Sequence, residues 1–127
     1  MKCISIRQPW AWLIVTGKKP VENRTWPHKH RGALLIHASK LFDWQGFDWA
    51  RLHASGLLAG LPPYSEMARG AIIGQATMID CVTTHPSPFF FGPWGHVYAD
   101  PVMFREPIPY KGKLGIFDVP EIAEVPS

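Results

Sequence analysis

Apolar residues recur at short, regular intervals along the chain, and their pattern predicts six β-strands. The strand-like segments cover residues 2–6, 21–26, 34–37, 71–82, 96–108 and 112–119. They are rich in β-branched and aromatic residues, and glycine or proline lies near most of their ends. Pro101 leaves open whether residues 96–108 form one strand or two.

Two further segments have the spacing of a helix. Pro9 suits the first turn of a short helix that Gly17 would cap, and residues 42–60 carry apolar side chains at helical spacing, interrupted at Gly46. Short strands, at most two helices and many turn residues predict an α+β, β-rich fold. We expect a small β-barrel of about six strands with two or so helices packed against it, as a single domain over residues 1–127.

Composition narrows the class of protein. Hydrophobic residues make up 46% of the chain and charged residues 18%, which is typical of a soluble globular domain. No apolar run approaches the roughly 20 residues that span a bilayer, so we expect no membrane partner. The N-terminus has no signal-peptide pattern, which predicts a cytoplasmic protein whose two cysteines, Cys3 and Cys81, are reduced core thiols.

The charge is unevenly distributed. Residues 1–40 contain eight basic side chains and one acidic side chain, Glu22, whereas residues 41–127 carry a net charge of −4. Three of the six tryptophans, Trp10, Trp12 and Trp26, lie in the same basic third. Basic residues interleaved with aromatic ones favour single-stranded RNA or DNA, or a nucleotide or nucleoside, because bases stack and phosphates pair with cations. The alternative is that these tryptophans belong to the core, and Trp12 is more typical of a core residue.

The stretch GKKPVENRTW, residues 17–26, places one acid among three cations. Glu22 and Arg24 are two positions apart in a predicted strand, so their side chains lie on the same face. An ion pair between them would hold the guanidinium in one orientation, and a fixed arginine beside a lysine can receive a phosphate or carboxylate. The alternative is a solvated loop with an ion pair of little energetic weight.

The spacing G-x-K-x-x-E-x-R, preceded by SIRQPWAWLIV, resembles the signature of the ASCH domain, the activating-signal-cointegrator homology family. The blocks RGALLIHASK, GAIIGQATMIDC and PIPYKGKLGIFDV follow in the family's order. The resemblance implies a PUA-like fold with a cleft, lined by the motif, that meets RNA, DNA or a nucleoside.

We therefore predict a ligand-binding set that borders this cleft: Gln8, Trp10, Lys18, Lys19, Glu22, Arg24, Trp26, Ser39 and Lys40. Gln8 has a second interpretation as a cap of the first helix, and His37 is more typical of a core histidine. The aromatic loop PFFFGPWG either covers the cleft or plugs one end of the barrel. Lys111 and Lys113 either extend the basic face or belong to an ordinary turn.

A hydrolase is the alternative to a binding module. The resemblance extends to small bacterial ASCH proteins that hydrolyse N4-acylated cytidine with a lysine and a threonine of the motif, and to others assigned ribonuclease activity. Lys19 matches that lysine, but Glu22 replaces the threonine nucleophile. In an enzyme, Lys19 and Glu22 would be the catalytic pair acting through a water molecule. The substitution favours binding over hydrolysis.

Other chemistries have weaker support. The HKH run at residues 28–30 has no cysteine or acid at ligand spacing, so we predict no metal site. No glycine-rich phosphate loop or serine elbow is present in the sequence, and no cofactor is predicted. The oligomeric state is open.

Overall fold

A computed structural model describes residues 1–120; the predicted domain also includes residues 121–127, which lie outside the described residues. The elements are β1 (Lys2–Gln8), α1 (Trp10–Val15), β2 (Val21–Arg24), β3 (Gly32–Phe42), α2 (Trp44–His53), β4 (Ala71–Val82), β5 (Trp94–Pro109) and β6 (Ile116–Asp118). Two 3-10 turns, Ser55–Leu58 and Tyr64–Glu66, connect α2 to β4.

The six strands form one sheet in the order β2-β5-β4-β3-β1-β6. Only β1 and β3 pair in parallel; the other neighbours are antiparallel. The predicted α+β, β-rich fold with six strands and two helices is confirmed. The predicted closed barrel is wrong. Within residues 1–120 the two edge strands, β2 and β6, do not pair with each other, so the sheet stays open. These edge strands have four and three residues, so each contributes a short ladder to one neighbour only.

Helix α1 packs across the middle of the sheet. Ile14 and Val15 are buried in a core that includes Ile73 of β4. A Cβ atom at Gly74 would lie 2.2 Å from the Val102 carbonyl oxygen and 2.7 Å from Val15 Cγ1. Glycine at this position therefore allows β4, β5 and α1 to approach closely.

A second apolar cluster joins the two helices. Leu13 of α1 and Ala50 of α2 are buried together with Phe89 from the loop between β4 and β5. This cluster holds α2 and the aromatic loop beside α1, next to the short strand β2. This packing places the N-terminus of α1, the turn that follows α1 and the aromatic loop on the same side of the sheet.

The bounds of several elements differ from the predicted ones; β5, which the sequence left open as one strand or two, and α2 are two examples. Strand β5 runs without interruption through Pro101, because the ladder with β4 is irregular between the pairs Gln75↔Val102 and Thr77↔Ala99. Asp100, in that irregularity, has φ +50°, so the proline sits in a bulge where no ladder bond is required of it. Helix α2 ends at His53, a few residues before Gly56 and Gly60, the two predicted ends, since the chain continues in a 3-10 turn.

Both cysteines are free thiols, Cys3 buried and Cys81 partly buried. Burial raises the pKa of the Cys3 thiol to about 12. None of the helices in residues 1–120 combines the length and apolar character that crossing a membrane would require.

Candidate functional site

A cleft of about 1260 Å³ opens beside α1, between the aromatic loop, β2 and the segment that follows β5. Six of the nine predicted ligand-binding residues line it: Trp10, Lys19, Glu22, Arg24, Ser39 and Lys40. The GxKxxExR motif therefore lies at a cleft rather than in a solvated loop.

The side chains of Gln8 and Lys18, two of the predicted ligand-binding residues, form their hydrogen bonds outside the cleft. Gln8 is buried; its amide nitrogen donates to the Ala68 carbonyl at 2.9 Å and its amide oxygen accepts from the Trp12 backbone N–H at 3.0 Å. It thus supports the start of α1, the second interpretation of this residue. Lys18 donates to the Ala59 carbonyl and lies 5.0 Å from the centre of the Trp12 ring. Neither side chain lines the cleft.

The turn after α1 directs Lys19 into the site. Gly17 has φ +81°, which lets the chain reverse, and the Lys19 N–H donates to the Leu13 carbonyl at 3.0 Å. The Lys19 side chain is only 3% exposed, and its ammonium donates to the Val21 carbonyl and to Glu22 Oε1, both at 2.7 Å. A lysine ammonium has three N–H donors, so one remains beyond these two bonds.

Glu22 joins two cations. Its Oε1 accepts from Lys19, and its Oε2 accepts from Arg24 Nη2 at 3.1 Å, which confirms the predicted Glu22–Arg24 ion pair. Burial alone would raise the pKa of the Glu22 carboxyl, but the charges of Lys19 and Arg24 and the hydrogen bond from Lys19 outweigh it and lower the pKa. Glu22 is therefore a carboxylate that keeps both cations in place.

Arg24 is fixed through one nitrogen of its guanidinium, Nη2. Its Nη2 also donates to the Ser5 carbonyl at 3.2 Å, while its buried Nε has no hydrogen-bond partner within residues 1–120. The guanidinium carbon lies 5.8 Å from the centre of the Trp26 ring. Trp26 itself packs edge-on against His96 at 4.8 Å and does not line the cleft. It supports the guanidinium from behind.

Aromatic side chains form one wall. Trp10 donates from its indole nitrogen to Asp43 Oδ2 at 2.8 Å and meets Phe89 edge-on at 5.8 Å. Trp49 of α2 packs edge-on against Phe91, with ring centres 4.8 Å apart. The wall is thus built from both helices and the aromatic loop, and its ring faces can receive a planar group.

Asn23 of β2 holds that loop in place. Its side chain donates to the Phe89 carbonyl at 2.8 Å and accepts from the backbone N–H groups of Phe91 at 2.8 Å and Gly92 at 3.0 Å. Phe89 is buried in the core, whereas Phe91 is 65% exposed at the edge of the cleft. The loop therefore combines a core contact with a border of the cleft.

The cleft is positively charged. Its basic side chains are Arg7, Lys19, Arg24, Lys40, Lys111 and Lys113, and its acidic ones are Glu22 and Asp43. Four of the eight basic residues in the first third of the chain belong to this set, so the uneven charge of the sequence is partly concentrated here. Within residues 1–120, no three His, Cys, Asp or Glu side chains are grouped as metal ligands.

Several residues of the cleft were not in the predicted set. Ser5 and Arg7 lie on β1, Trp49 lies on α2, His37 lies on β3, and Tyr110 follows β5. The alternation along β1 was the available signal, because residues two apart share a face with one another. Trp49 gave no such signal, since its helical spacing indicates a core residue equally well.

The fold and the site together define a class: a small six-stranded α+β domain with a cationic, aromatic-walled cleft beside its first helix. The ASCH domain profile matches residues 4–117, and the chain belongs to the ASCH domain family. Domains of this family are in general RNA-binding.

Similar proteins agree with this assignment. The chain is 54% identical over 84 residues to activating signal cointegrator 1 of Homo sapiens, and equally so to the protein of that name of Mus musculus. These matches cover 64% of the chain but only 14% of either relative. The crystal structure of ASCH from Zymomonas mobilis matches with a TM-score of 0.60 at 16% identity, covering 93% of this chain and 86% of that one. Its Y47F mutant matches with a TM-score of 0.59.

Proposed function

We propose that this domain binds single-stranded nucleic acid, RNA in the first place, by holding one or two nucleotides in the cleft. The observation that carries the proposal is the linked set Lys19–Glu22–Arg24 at an aromatic wall. Lys19 and Arg24 are ordered by Glu22 before any ligand arrives, with hydrogen bonds of 2.7 and 3.1 Å. Ordered donors lose less conformational freedom on binding than mobile ones do.

The wall and the motif suit a nucleobase. Trp10, Trp49 and Phe91 offer ring faces, and stacking of a base on an aromatic side chain contributes about 1–3 kcal/mol. The free donors of Lys19 and Arg24 can meet carbonyl or ring-nitrogen acceptors on a base edge. A base can therefore be stacked and hydrogen-bonded in one position.

The cationic rim suits the phosphates. Lys40, Lys111 and Lys113 are exposed residues that line the cleft, so they can neutralise phosphates without a desolvation cost. The volume of about 1260 Å³ exceeds the roughly 300–1,000 Å³ usual for small-molecule pockets. More than a single free nucleoside fits.

The state of Lys19 and Glu22 favours binding over the hydrolase alternative. A carboxyl whose pKa is lowered is a weak base near neutral pH, and its partner ammonium donates to it at 2.7 Å. Hydrolysis of RNA or of an N4-acylated cytidine by this pair would need one of the two groups to give up its ion pair.

Fluorescence anisotropy with a dye-labelled single-stranded oligoribonucleotide tests the proposal. The double variant Lys40→Ala/Lys113→Ala removes two cations from the cleft, and Lys29→Ala/Arg105→Ala removes two exposed cations elsewhere. Both variants have the same net charge. We expect the cleft variant to bind about tenfold or more weakly than wild type and the control to change little. Equal losses would assign the attraction to net charge alone, and absence of binding by wild type would end the proposal.

A further inference from the structure

A serine and a histidine that both line the cleft form a hydrogen-bonded pair. Ser5 Oγ lies 2.9 Å from His37 Nδ1, and His37 Nε2 lies 2.6 Å from the Tyr110 carbonyl oxygen. A carbonyl oxygen only accepts, so Nε2 carries the ring proton of the neutral imidazole. Nδ1 is then the lone-pair nitrogen, and the Ser5 hydroxyl donates to it. This is the arrangement of a nucleophile, its base and a group that orients the base.

The surroundings keep the pair in this state. Burial lowers the pKa of His37, against a smaller opposite effect of the Tyr110 hydrogen bond, so the imidazole is neutral at neutral pH. Ser5 is half-buried, and both residues line the cleft. A Cβ at Gly112 would lie 2.8 Å from both Ser5 Oγ and His37 Cε1. The glycine therefore leaves the hydroxyl free of a covering side chain.

We propose that Ser5 is a nucleophile and His37 its general base, and that this pair forms an acyl-transfer site for small carboxylic esters. Nothing in this inference depends on the binding of nucleic acid, because a small ester needs only the part of the cleft around Ser5 and His37. The pair makes no hydrogen bond to Lys19 or Glu22, and Arg24 lies between the two groups, because its Nη2 donates to Glu22 Oε2 and to the Ser5 carbonyl.

The reaction follows the acyl-enzyme route. Ser5 Oγ attacks the ester carbonyl carbon; the new O–C bond forms while the hydroxyl proton moves to His37 Nδ1 and the π electrons move to the carbonyl oxygen. The tetrahedral intermediate collapses, the ester C–O bond breaks, and the leaving alcohol takes the proton from His37. Water then hydrolyses the acyl-serine by the same steps. The negative oxygen forms in a cleft lined by Arg24, which donates to the Ser5 carbonyl at 3.2 Å, and by Lys111.

Labelling with diisopropyl fluorophosphate tests the nucleophile. Its phosphorus accepts a serine oxygen as the P–F bond breaks, fluoride leaves, and His37 takes the hydroxyl proton. Peptide mapping by mass spectrometry is expected to place the adduct on Ser5 and not on the exposed Ser55. General-base assistance contributes roughly 10²–10⁴-fold, so His37→Gln is expected to slow labelling about 100-fold, and His53→Gln, an exposed control, to leave it unchanged.

A second variant covers the case in which His37→Gln does not fold. Gly112→Ala keeps both partners but presses a methyl group against both of them, so that the pair must shift, and it is expected to slow labelling at least about tenfold; Gly56→Ala has open space and is expected to leave labelling unchanged. Release of p-nitrophenolate from p-nitrophenyl acetate should be catalysed by wild type and lost in Ser5→Ala. A missing Ser5 adduct, labelling that is unchanged in the folded variants of the pair, or ester turnover that is absent or survives Ser5→Ala would each overturn the proposal.

Discussion

Arg24 is the residue on which ligand binding should depend most directly. Glu22 and the Ser5 carbonyl fix its guanidinium through Nη2, and this guanidinium, which lines the cleft, keeps further N–H donors beyond these two bonds. We expect Arg24→Ala to weaken oligonucleotide binding by about 1.5–3 kcal/mol, the range of a hydrogen bond to a charged group. Anisotropy titration measures this, with Arg105→Ala, an exposed arginine outside the cleft, as the matched control. Wild-type affinity together with an altered melting temperature would make the ion pair purely structural.

Glu22 should make stability depend on pH. Its pKa is lowered from 4.5 in the folded chain, so its contribution is complete above pH 4.5 and is lost as pH falls through the lower folded-state pKa. Near neutral pH, Glu22→Gln leaves Lys19 and Arg24 without their counter-charge, and breaking such a pair costs about 3–5 kcal/mol. Urea unfolding across pH should show the gap between wild type and variant closing below pH 4.5. A gap that stays constant on acidification contradicts this account of Glu22.

His37 and His96 should make the stability of the fold depend on pH in a second, less acidic range. Burial lowers the pKa of each from 6.5, with weaker opposing contributions from their backbone hydrogen bonds. A neutral buried histidine contributes stability above the unfolded pKa, and that contribution declines as pH falls from 6.5 towards the folded value. The free energy of unfolding of wild type, measured with urea, should therefore begin to fall already below pH 6.5. A flat profile down to pH 5 would show that protonation is tolerated in the fold.

At the scale of the elements, α1 and β4 approach each other so closely at Gly74 that we expect any larger residue there to destabilise the fold. The Cβ of Gly74→Ala would meet the Val102 carbonyl and Val15 at 2.2 and 2.7 Å. Overpacking of this kind costs roughly 1–3 kcal/mol. Urea unfolding should show this loss for Gly74→Ala, whereas Gly56→Ala, an exposed glycine with nothing within 4 Å, should be near neutral. Equal stabilities would mean that the helix can shift away from the sheet without cost.

Strands whose pattern is local were predictable from the sequence, and those shaped by distant partners were less so. Residues 71–82 were predicted with the bounds they have in β4, because apolar residues fill most of the segment. Strand β5 could not be traced through Pro101 from sequence, since the bulge exists only in register with β4. The sequence pattern also does not state whether short edge strands meet, which is why a closed barrel was expected.

The candidate site also contains residues that a local sequence pattern predicts and residues that only distant contacts bring to it. Trp10, Lys19, Glu22 and Arg24 lie within fifteen positions of one another, and the GxKxxExR motif together with the segment before it supplies all four to the cleft. Trp49, Phe91 and Lys113 reach it from distant segments, so their role depends on tertiary packing. The Gln8 amide turns inward because it bonds to Ala68, sixty positions away, a partner that sequence does not reveal.

For the whole molecule, the basic rim predicts a strong dependence of binding on salt. Each phosphate neutralised on a single strand adds a slope of about −0.7 to the plot of log affinity against log salt. Contacts from three or four of Arg7, Lys40, Lys111 and Lys113 therefore predict a slope of about −2 to −3 for wild type. Anisotropy titrations at several salt concentrations measure it, and a nearly flat plot contradicts phosphate binding at this rim.

The six tryptophans allow the position of the ligand to be measured directly. Trp10 and Trp49 line the cleft, whereas Trp12 and Trp94 do not. Each indole N–H gives its own peak in a ¹H–¹⁵N NMR spectrum, and Trp→Phe variants assign the peaks. On titration with a single-stranded oligoribonucleotide, we predict that the peaks of Trp10 and Trp49 shift with saturation while those of Trp12 and Trp94 stay in place. Unchanged Trp10 and Trp49 peaks under conditions where anisotropy reports binding would show that the nucleic acid lies elsewhere on the protein.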